Sequence, residues 1–213
     1  MYDYNAFWDD CWKEDEGAQL YEYLKGYYKL TCREIDLFKE NNINTVCDAA
    51  CGFGAYSLAL ASNGFDTYSF DISEKAVEIT KNGLEKYGFE LNKIKIASIL
   101  DTGYEDAFFD GAVVHAVLDH LLVSDAKAAL SEMLRITKAG GLIWLSFDIP
   151  EEDDMTEPHS FPEEGTMLYT GDGRTGMLFH PYDRNSIYEL IGEYEIVYKA
   201  DNGVRERVVI IRK

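Results

Sequence analysis

Val46-Cys47-Asp48-Ala49-Ala50-Cys51-Gly52-Phe53-Gly54 is the stretch that decides the fold. The run TVCDAA (45–50) has the length and apolar content of a short buried strand, and AYSLALA (55–61) reads as a helix stopped at Asn63-Gly64. Gly52 and Gly54, in the turn between them, lack the Cβ atoms that would hold a ligand away from the main chain, and they tolerate positive φ. In a doubly wound sheet this turn lies at the carboxyl end of the first strand, where such sheets bind ligands. Seventeen residues beyond Gly54 a second short strand, DTYSFD (66–71), ends in Asp71, whose carboxylate can accept from both hydroxyls of a ribose. The two features together describe a nucleoside-containing ligand lying across the first two strand ends.

Working outward, strand and helix continue to alternate. A helix over SEKAVEITKNGLEKYG closes at Gly88, KIKIASIL (93–100) and GAVVHAVL (111–118) read as strands, DAKAALSEMLRIT as a helix ended by Gly140-Gly141, and LIWLSFDI as the next strand. Such alternation implies a parallel sheet with helices on both faces. A helix near Asn185–Ile191 and an antiparallel hairpin, EYEIVYK and RERVVIIR turned at Asp201-Asn202-Gly203, close the chain. The first forty residues read as helical, with Leu20, Tyr23, Leu24, Tyr27 and Tyr28 on one face. Residues 151–178 break the pattern: EEDDMTEPHSFPEE is acidic and interrupted by prolines, and TMLYT-GDG-RTGMLF suggests a hairpin with a glycine turn. The expectation is one α/β domain with a seven-stranded, mostly parallel, Rossmann-like sheet and an antiparallel C-terminal hairpin strand. Its parts are a helical cap (1–42), a cofactor-binding core (43–150), a lid insertion (151–178) and a closing helix and β-hairpin (179–213).

Thirty-nine acidic against twenty basic side chains leave a net charge of −19, which repels phosphate backbones and anionic leaflets, so neither nucleic acid nor membrane is expected as a partner. No apolar run is long enough to cross a bilayer and MYDYNAFWDD lacks the features of a secretion signal, so a cytoplasmic location is expected. Cys11, Cys32, Cys47 and Cys51 form no CxxC pair and have no histidine at zinc-ligand spacing, so reduced thiols and no metal are expected. Monomer and homodimer both remain open.

At Asp48-x-Ala50-x-Gly52-x-Gly54 the chain resembles the class I S-adenosylmethionine-dependent methyltransferases, whose first motif runs roughly acidic-x-Gly-x-Gly-x-Gly; Ala50 replaces the first glycine. Phe109-Asp110, Val117-Leu118-Asp119-His120-Leu121 and Leu134 to Gly141 look like the family's later motifs, and the terminal hairpin is similar to its reversed last strand. The resemblance covers about 43–150 specifically and 179–213 loosely. It implies methyl transfer from S-adenosylmethionine to an acceptor, with these positions carried over. Ala50, Gly52 and Gly54, with Cys51 among them as a small filler, let the main chain pass close to the methionine part, and Asp48 attracts its ammonium. Asp71 binds the ribose diol, Ile72 packs on the adenine, and Ser98, Ile99 and Leu100 flank the base. Ser98 stands where many members carry an aspartate, a role Asp101 is placed to take over. Val114 and His115 lie near the sulfonium.

A sulfonium is already a good electrophile, so positioning carries most of the catalysis and a base is needed only for a nucleophile that keeps a proton. His115, His120 and Asp119 are the catalytic candidates, each with an ordinary structural role in competition. Tyr4 and Trp8 from the aromatic N-terminus, and Tyr169, His180 and Tyr182 around the insertion, are the candidates for roofing the site and touching an acceptor. A small molecule is the expected acceptor, reached by eliminating nucleic acid and the family's amino-methylating Asn/Asp-Pro-Pro-aromatic signature. Two alternatives stay open: an NAD(P)-dependent oxidoreductase, which would prefer glycine at position 57, and a non-catalytic S-adenosylmethionine-binding protein.

Overall fold

Buried strands need apolar residues on both faces, and the central strand has them. In the computed structural model, which describes residues 2–13, 17–171, 173–201 and 206–213, three helices come first: α1 (Tyr4–Lys13), α2 (Gly17–Lys25) and α3 (Arg33–Glu40). Then β1 (Thr45–Ala49), α4 (Ala55–Ser62), β2 (Asp66–Asp71), α5 (Glu74–Lys86), β3 (Ile94–Ile96) and β4 (Phe109–His115) alternate. A 3-10 turn, Leu118–His120, leads to α6 (Val123–Ile136) and β5 (Thr137–Asp148). The insertion folds as α7 (Glu152–Thr156), β6 (His159–Glu163), β7 (Thr166–Tyr169) and β8 (Leu178–Phe179), before α8 (Arg184–Ile191), β9 (Glu195–Asp201) and β10 (Glu206–Arg212).

The main sheet runs β3-β2-β1-β4-β5-β10-β9, its first five strands parallel and β10 antiparallel to both neighbours. Residue-by-residue alternation sends Val46, Val113, Trp144 and Ile210 to one face, packed with Phe38 of α3 and Leu60 of α4. Cys47, Ala112, Ile143 and Val209 go to the other face, packed with Met133 of α6 and Ile187 of α8. Leu24 of α2, Leu58 of α4 and Val77 and Leu84 of α5 extend the first layer toward β3. The expected doubly wound sheet with its antiparallel end is the sheet observed.

Several details differ from the sequence reading. The strand expected over 93–100 is only three residues long: after the Ala97 N–H donates to the Asp71 carbonyl (2.9 Å), the chain leaves the sheet and Ser98 bridges Asp101. The helix expected to stop at Gly140-Gly141 stops at Ile136, where the Thr137 hydroxyl turns back onto the Met133 carbonyl (2.7 Å). The glycines serve β5 instead, as a bulge between the Phe109–Thr137 and Gly111–Leu142 pairs, and a Cβ at Gly141 would lie 2.5 Å from the Asp110 carbonyl. On the N-terminal helical face Leu20 and Leu24 are buried, whereas Tyr23 is exposed and Tyr28 stands outside α2, stacked on Tyr87. The turn expected at Asn202-Gly203 lies outside the described residues, as does Asp172 of the expected glycine turn in the insertion; β7 and β8 on either side of the latter pair antiparallel.

Candidate active site

Helix α4 starts from Gly54, which adopts φ +85°; Ala50 and Gly52 are also left-handed, at +54° and +52°. This folds the β1–α4 connection into a tight loop over the tip of β2. Asp71, 5% exposed at that tip, accepts the Gly52 N–H on one carboxylate oxygen and the Ser73 N–H on the other, both at 2.9 Å. Each oxygen keeps a lone pair for a further donor. Burial pushes the Asp71 pKa up, and the main-chain donors oppose the shift. Asp48, on β1, accepts the Ser57 hydroxyl at 2.5 Å, and Ser57 also bonds Ser69 (2.7 Å). Burial raises the Asp48 pKa to about 6 against the lowering effect of Ser57. A dinucleotide loop would have glycine at position 57; here the hydroxyl is the fixed partner of the loop carboxylate.

A cavity of about 220 Å³ opens over these strand ends. Asp48, Ala50, Cys51, Gly52, Asp71, Ile72, Ser98, Ile99, Leu100, His115 and His120 line it, with Tyr4, Trp8 and Trp12 of α1 above. Trp12 rests on the bare main chain: a Cβ at Gly52 would meet its ring at 2.9 Å. Helix α1 is held at its middle and just before its start. The Ser73 hydroxyl donates to Asp9 (3.0 Å) at the start of α5, and the Tyr2 hydroxyl donates to the Gly176 carbonyl of the insertion. Tyr4 donates to Asp125 (2.7 Å) and accepts the Leu122 N–H (3.1 Å), so α1 also grips the start of α6.

Trp8 and His120 also belong to a second cavity, of about 320 Å³, with Asp148, Asp154, Tyr169, Arg174, Met177 and Phe179. His120 lies edge-on to Trp8, their ring centroids 5.4 Å apart, and its Nδ1 is 2.9 Å from the Leu178 carbonyl. A carbonyl only accepts, so Nδ1 carries the hydrogen and Nε2 keeps its lone pair. His115 is different. Its Nε2 is 3.0 Å from a Glu206 carboxylate oxygen and its ring lies 4.3 Å from that of Tyr56. Burial would lower its pKa, but the hydrogen bond and charge of Glu206 outweigh it and the net shift is upward; Glu206 is shifted down. His115 is therefore biased toward its protonated form by Glu206.

Among the other expected site residues, Gly54 caps α4 beneath the loop, where a Cβ would lie 2.9 Å from the Thr80 methyl. Val114 is not on the cavity wall, because the sheet's alternation turns its side chain into the α6 core. Asp101 is exposed and does not line the cavity. His180 and Tyr182 border neither cavity: His180 bonds Thr166 (2.8 Å) beside Gly165, and Tyr182 packs on Phe147 in the core. Asp119 is fully buried behind the His120 wall and accepts the Asp148 N–H at 2.8 Å, tying the end of β5 to the 3-10 turn. Tyr56, Asp148, Arg174 and Phe179 were not anticipated. Asp148 alone carried a readable signal, since it ends a parallel strand on the ligand-binding side of the sheet.

A left-handed glycine loop after β1, a buried carboxylate at the tip of β2 and this strand order define a nucleoside-binding α/β fold. Residues 47–145 match the family model described as a methyltransferase domain. Over 102 residues the chain is 28% identical to the ubiquinone biosynthesis O-methyltransferase of Nitrosomonas europaea, covering 48% of this chain and 43% of that one. It is 29% identical over 112 residues to the tRNA (carboxymethyluridine(34)-5-O)-methyltransferase of Arabidopsis thaliana, covering 52% of this chain and 26% of that one. The matches thus span less than half the length of these curated relatives. In fold it is similar to the crystal structure of an S-adenosylmethionine-dependent methyltransferase from Methanosarcina mazei, with TM-score 0.70 and 22% identity over 86% of this chain and 98% of that one. Residues 47–145 thus match a methyltransferase domain, and the fold is that of solved S-adenosylmethionine-dependent methyltransferases.

Proposed function

We propose that the protein methylates a small molecule seated in the second cavity, with S-adenosylmethionine in the first. The observation that carries this reading is the junction: two cavities share one wall, made by Trp8 and His120. The first cavity suits the cofactor. The free lone pairs of Asp71 serve a ribose diol, while Ile72, Ser98, Ile99 and Leu100 enclose a base. Asp48 and the main chain of 50–51 face the methionine part, the Trp12 ring covers Gly52, and the aromatic side chains of Trp8 and Trp12 favour a cation. When bound, the cofactor supplies a methyl group activated by the sulfonium. The protein's part is to hold a nucleophile in line behind that methyl, which is worth about 7–11 kcal/mol when the geometry is right.

His120 takes the acceptor's proton, because Nε2 keeps its lone pair and the ring faces both cavities. His115 does not serve, because its Nε2 is taken up by Glu206. The net charge of −19 favours a small acceptor over tRNA, although one relative is named as a tRNA methyltransferase. Methyl transfer assayed in parallel on metabolite pools and on bulk tRNA tests this. Label in small products supports the reading, and label in tRNA alone contradicts it. His120→Asn is expected to lower kcat by about 10²–10⁴ with cofactor affinity unchanged within about threefold; an unchanged kcat removes His120 from the chemistry.

A further inference from the structure

We propose that the second cavity receives its acceptor as an organic ammonium ion and that this nitrogen is the atom methylated. The proposal rests on reading that cavity as the acceptor's. Its walls combine two features that together select a cation. One is Asp148 on the wall with the buried Asp119 behind it, neither in an ion pair among the described residues. Asp119, His120 and Asp148 each offer an atom within 4.8 Å of the others. Asp119 is fully buried; one of its oxygens holds the Asp148 N–H and the other has no hydrogen-bond donor among the described residues. A buried carboxylate oxygen without a donor is costly and calls for a positively charged or proton-donating partner. Asp148 stands beside it with no ion pair among the described residues, and burial and the Asp119 charge both push its pKa up. The cavity's cation, Arg174, is already held by Asp154 and by Glu157 (3.3 Å).

The second feature is the aromatic lining. Trp8, Phe179 and Met177 line it together with Tyr169, whose ring already carries the Arg174 guanidinium 5.4 Å from its centroid. Ring faces attract cations and give an anion nothing in return. A bare metal ion would have no use for such a wall, whereas an amine on an apolar skeleton uses both halves of the cavity. The acidic run Glu151–Asp154 extends the same sign of charge beside it.

Chemistry at the junction follows. The ammonium, held by Asp148 with Asp119 behind it, transfers a proton to His120 Nε2. The freed nitrogen lone pair forms the new C–N bond as the S–CH₃ bond breaks and its electron pair stays on sulfur. The imidazolium, facing two carboxylates, is stabilised until it releases the proton to water. The products are a methylated ammonium ion and the neutral thioether.

The test uses the whole chain with S-adenosylmethionine and acceptors matched in skeleton: phenethylamine, benzylamine and 1,5-diaminopentane against 2-phenylethanol, benzyl alcohol and 1,5-pentanediol, with 4-ethylphenol and 3-phenylpropionate alongside. Methylated products are read by mass spectrometry. Turnover of at least one amine tenfold or more above its oxygen counterparts supports the proposal. Preference for a phenol, alcohol or carboxylate overturns it while leaving the small-molecule methyltransferase reading standing; methylation of tRNA alone overturns both. No turnover of any amine, with competent cofactor binding shown by calorimetry, overturns the proposal as well. For an accepted amine, Asp148→Asn is expected to raise KM at least tenfold with cofactor affinity unchanged, and an unchanged KM contradicts the assignment. Asp119→Asn, checked for folding by its melting temperature, is expected to act in the same direction. Binding of Mn²⁺ at micromolar concentration that is lost in Asp148→Asn, with turnover abolished by EDTA, would assign the carboxylates to a metal and overturn the proposal.

Discussion

The two cavities are built on opposite plans. The first takes its shape from main chain: left-handed turns at Ala50, Gly52 and Gly54, and two N–H groups fixed on Asp71. The second is assembled from side chains that reach it from α1, the 3-10 turn, β5, α7 and the three-stranded insertion. A site made of backbone serves a constant ligand, because few substitutions can alter it. A site made of side chains on separate segments can be refitted without disturbing the sheet. On the proposed reading, the shared chemistry falls to the first cavity and the choice of acceptor to the second.

The sharpest way to break this contrast is to damage the backbone site alone. Gly54→Val places a Cβ 2.9 Å from Thr80 in a backbone held at φ +85°. We expect cofactor affinity to fall by about 100-fold, about 3 kcal/mol of strain and crowding, as read by calorimetry on protein whose folding is checked by circular dichroism. In the other half, Tyr169→Phe removes the hydroxyl that donates to the Asp154 carbonyl (2.8 Å) and should leave cofactor affinity within about twofold. A large loss there would show that the halves are not independent.

A smaller effect is expected from pH. Asp48, with its pKa raised to about 6 by burial, is ionised at neutral pH and protonated in mild acid. If its charge attracts the cofactor's ammonium, affinity declines as pH drops through about 6, approaching tenfold per unit. A flat profile from pH 7.5 to 5 would confine Asp48 to holding Ser57 and the loop.

The smallest effect concerns His115 and Glu206. The histidine's pKa is raised, so its contribution is complete below the ordinary value of 6.5 and is lost as pH rises through the folded value. The acid's is lowered, so its contribution is complete above the ordinary 4.5 and is lost as pH falls through the folded value. The pair thus stabilises most between those ordinary values. Glu206→Gln should cost on the order of 1 kcal/mol near pH 5.5 and less at pH 9, measured by thermal melts. Equal costs at both pH values would mean that the pair is not ionic.

The sequence carried the sheet and the first cavity because their signals are local. A strand, a glycine turn and an acid at the next strand's tip fall within 27 consecutive residues, 45–71. The second cavity was mostly illegible because no local pattern states which parts of an insertion fold back. Tyr169 and Trp8 were found through their aromatic character, but His180 and Tyr182, equally aromatic and near in sequence, point away because β8 ends at Phe179 and the chain turns toward α8. Val114, placed near the sulfonium by the resemblance alone, faces the α6 core because the alternation along β4 turns it away from the cavity. Gly140-Gly141 has the form of a helix stop in the sequence, but in the fold Gly141 is required by its close approach to the Asp110 carbonyl.

Titration calorimetry with S-adenosylmethionine on the wild type and on Asp71→Ala reaches the central claim most directly. We expect micromolar or tighter binding to the wild type, weakened in the variant by about 1–3 kcal/mol, the scale of hydrogen bonds to a charged group, with its melting temperature recorded alongside. Equal affinity of both proteins, or no binding to the wild type while NAD binds, would contradict the claim.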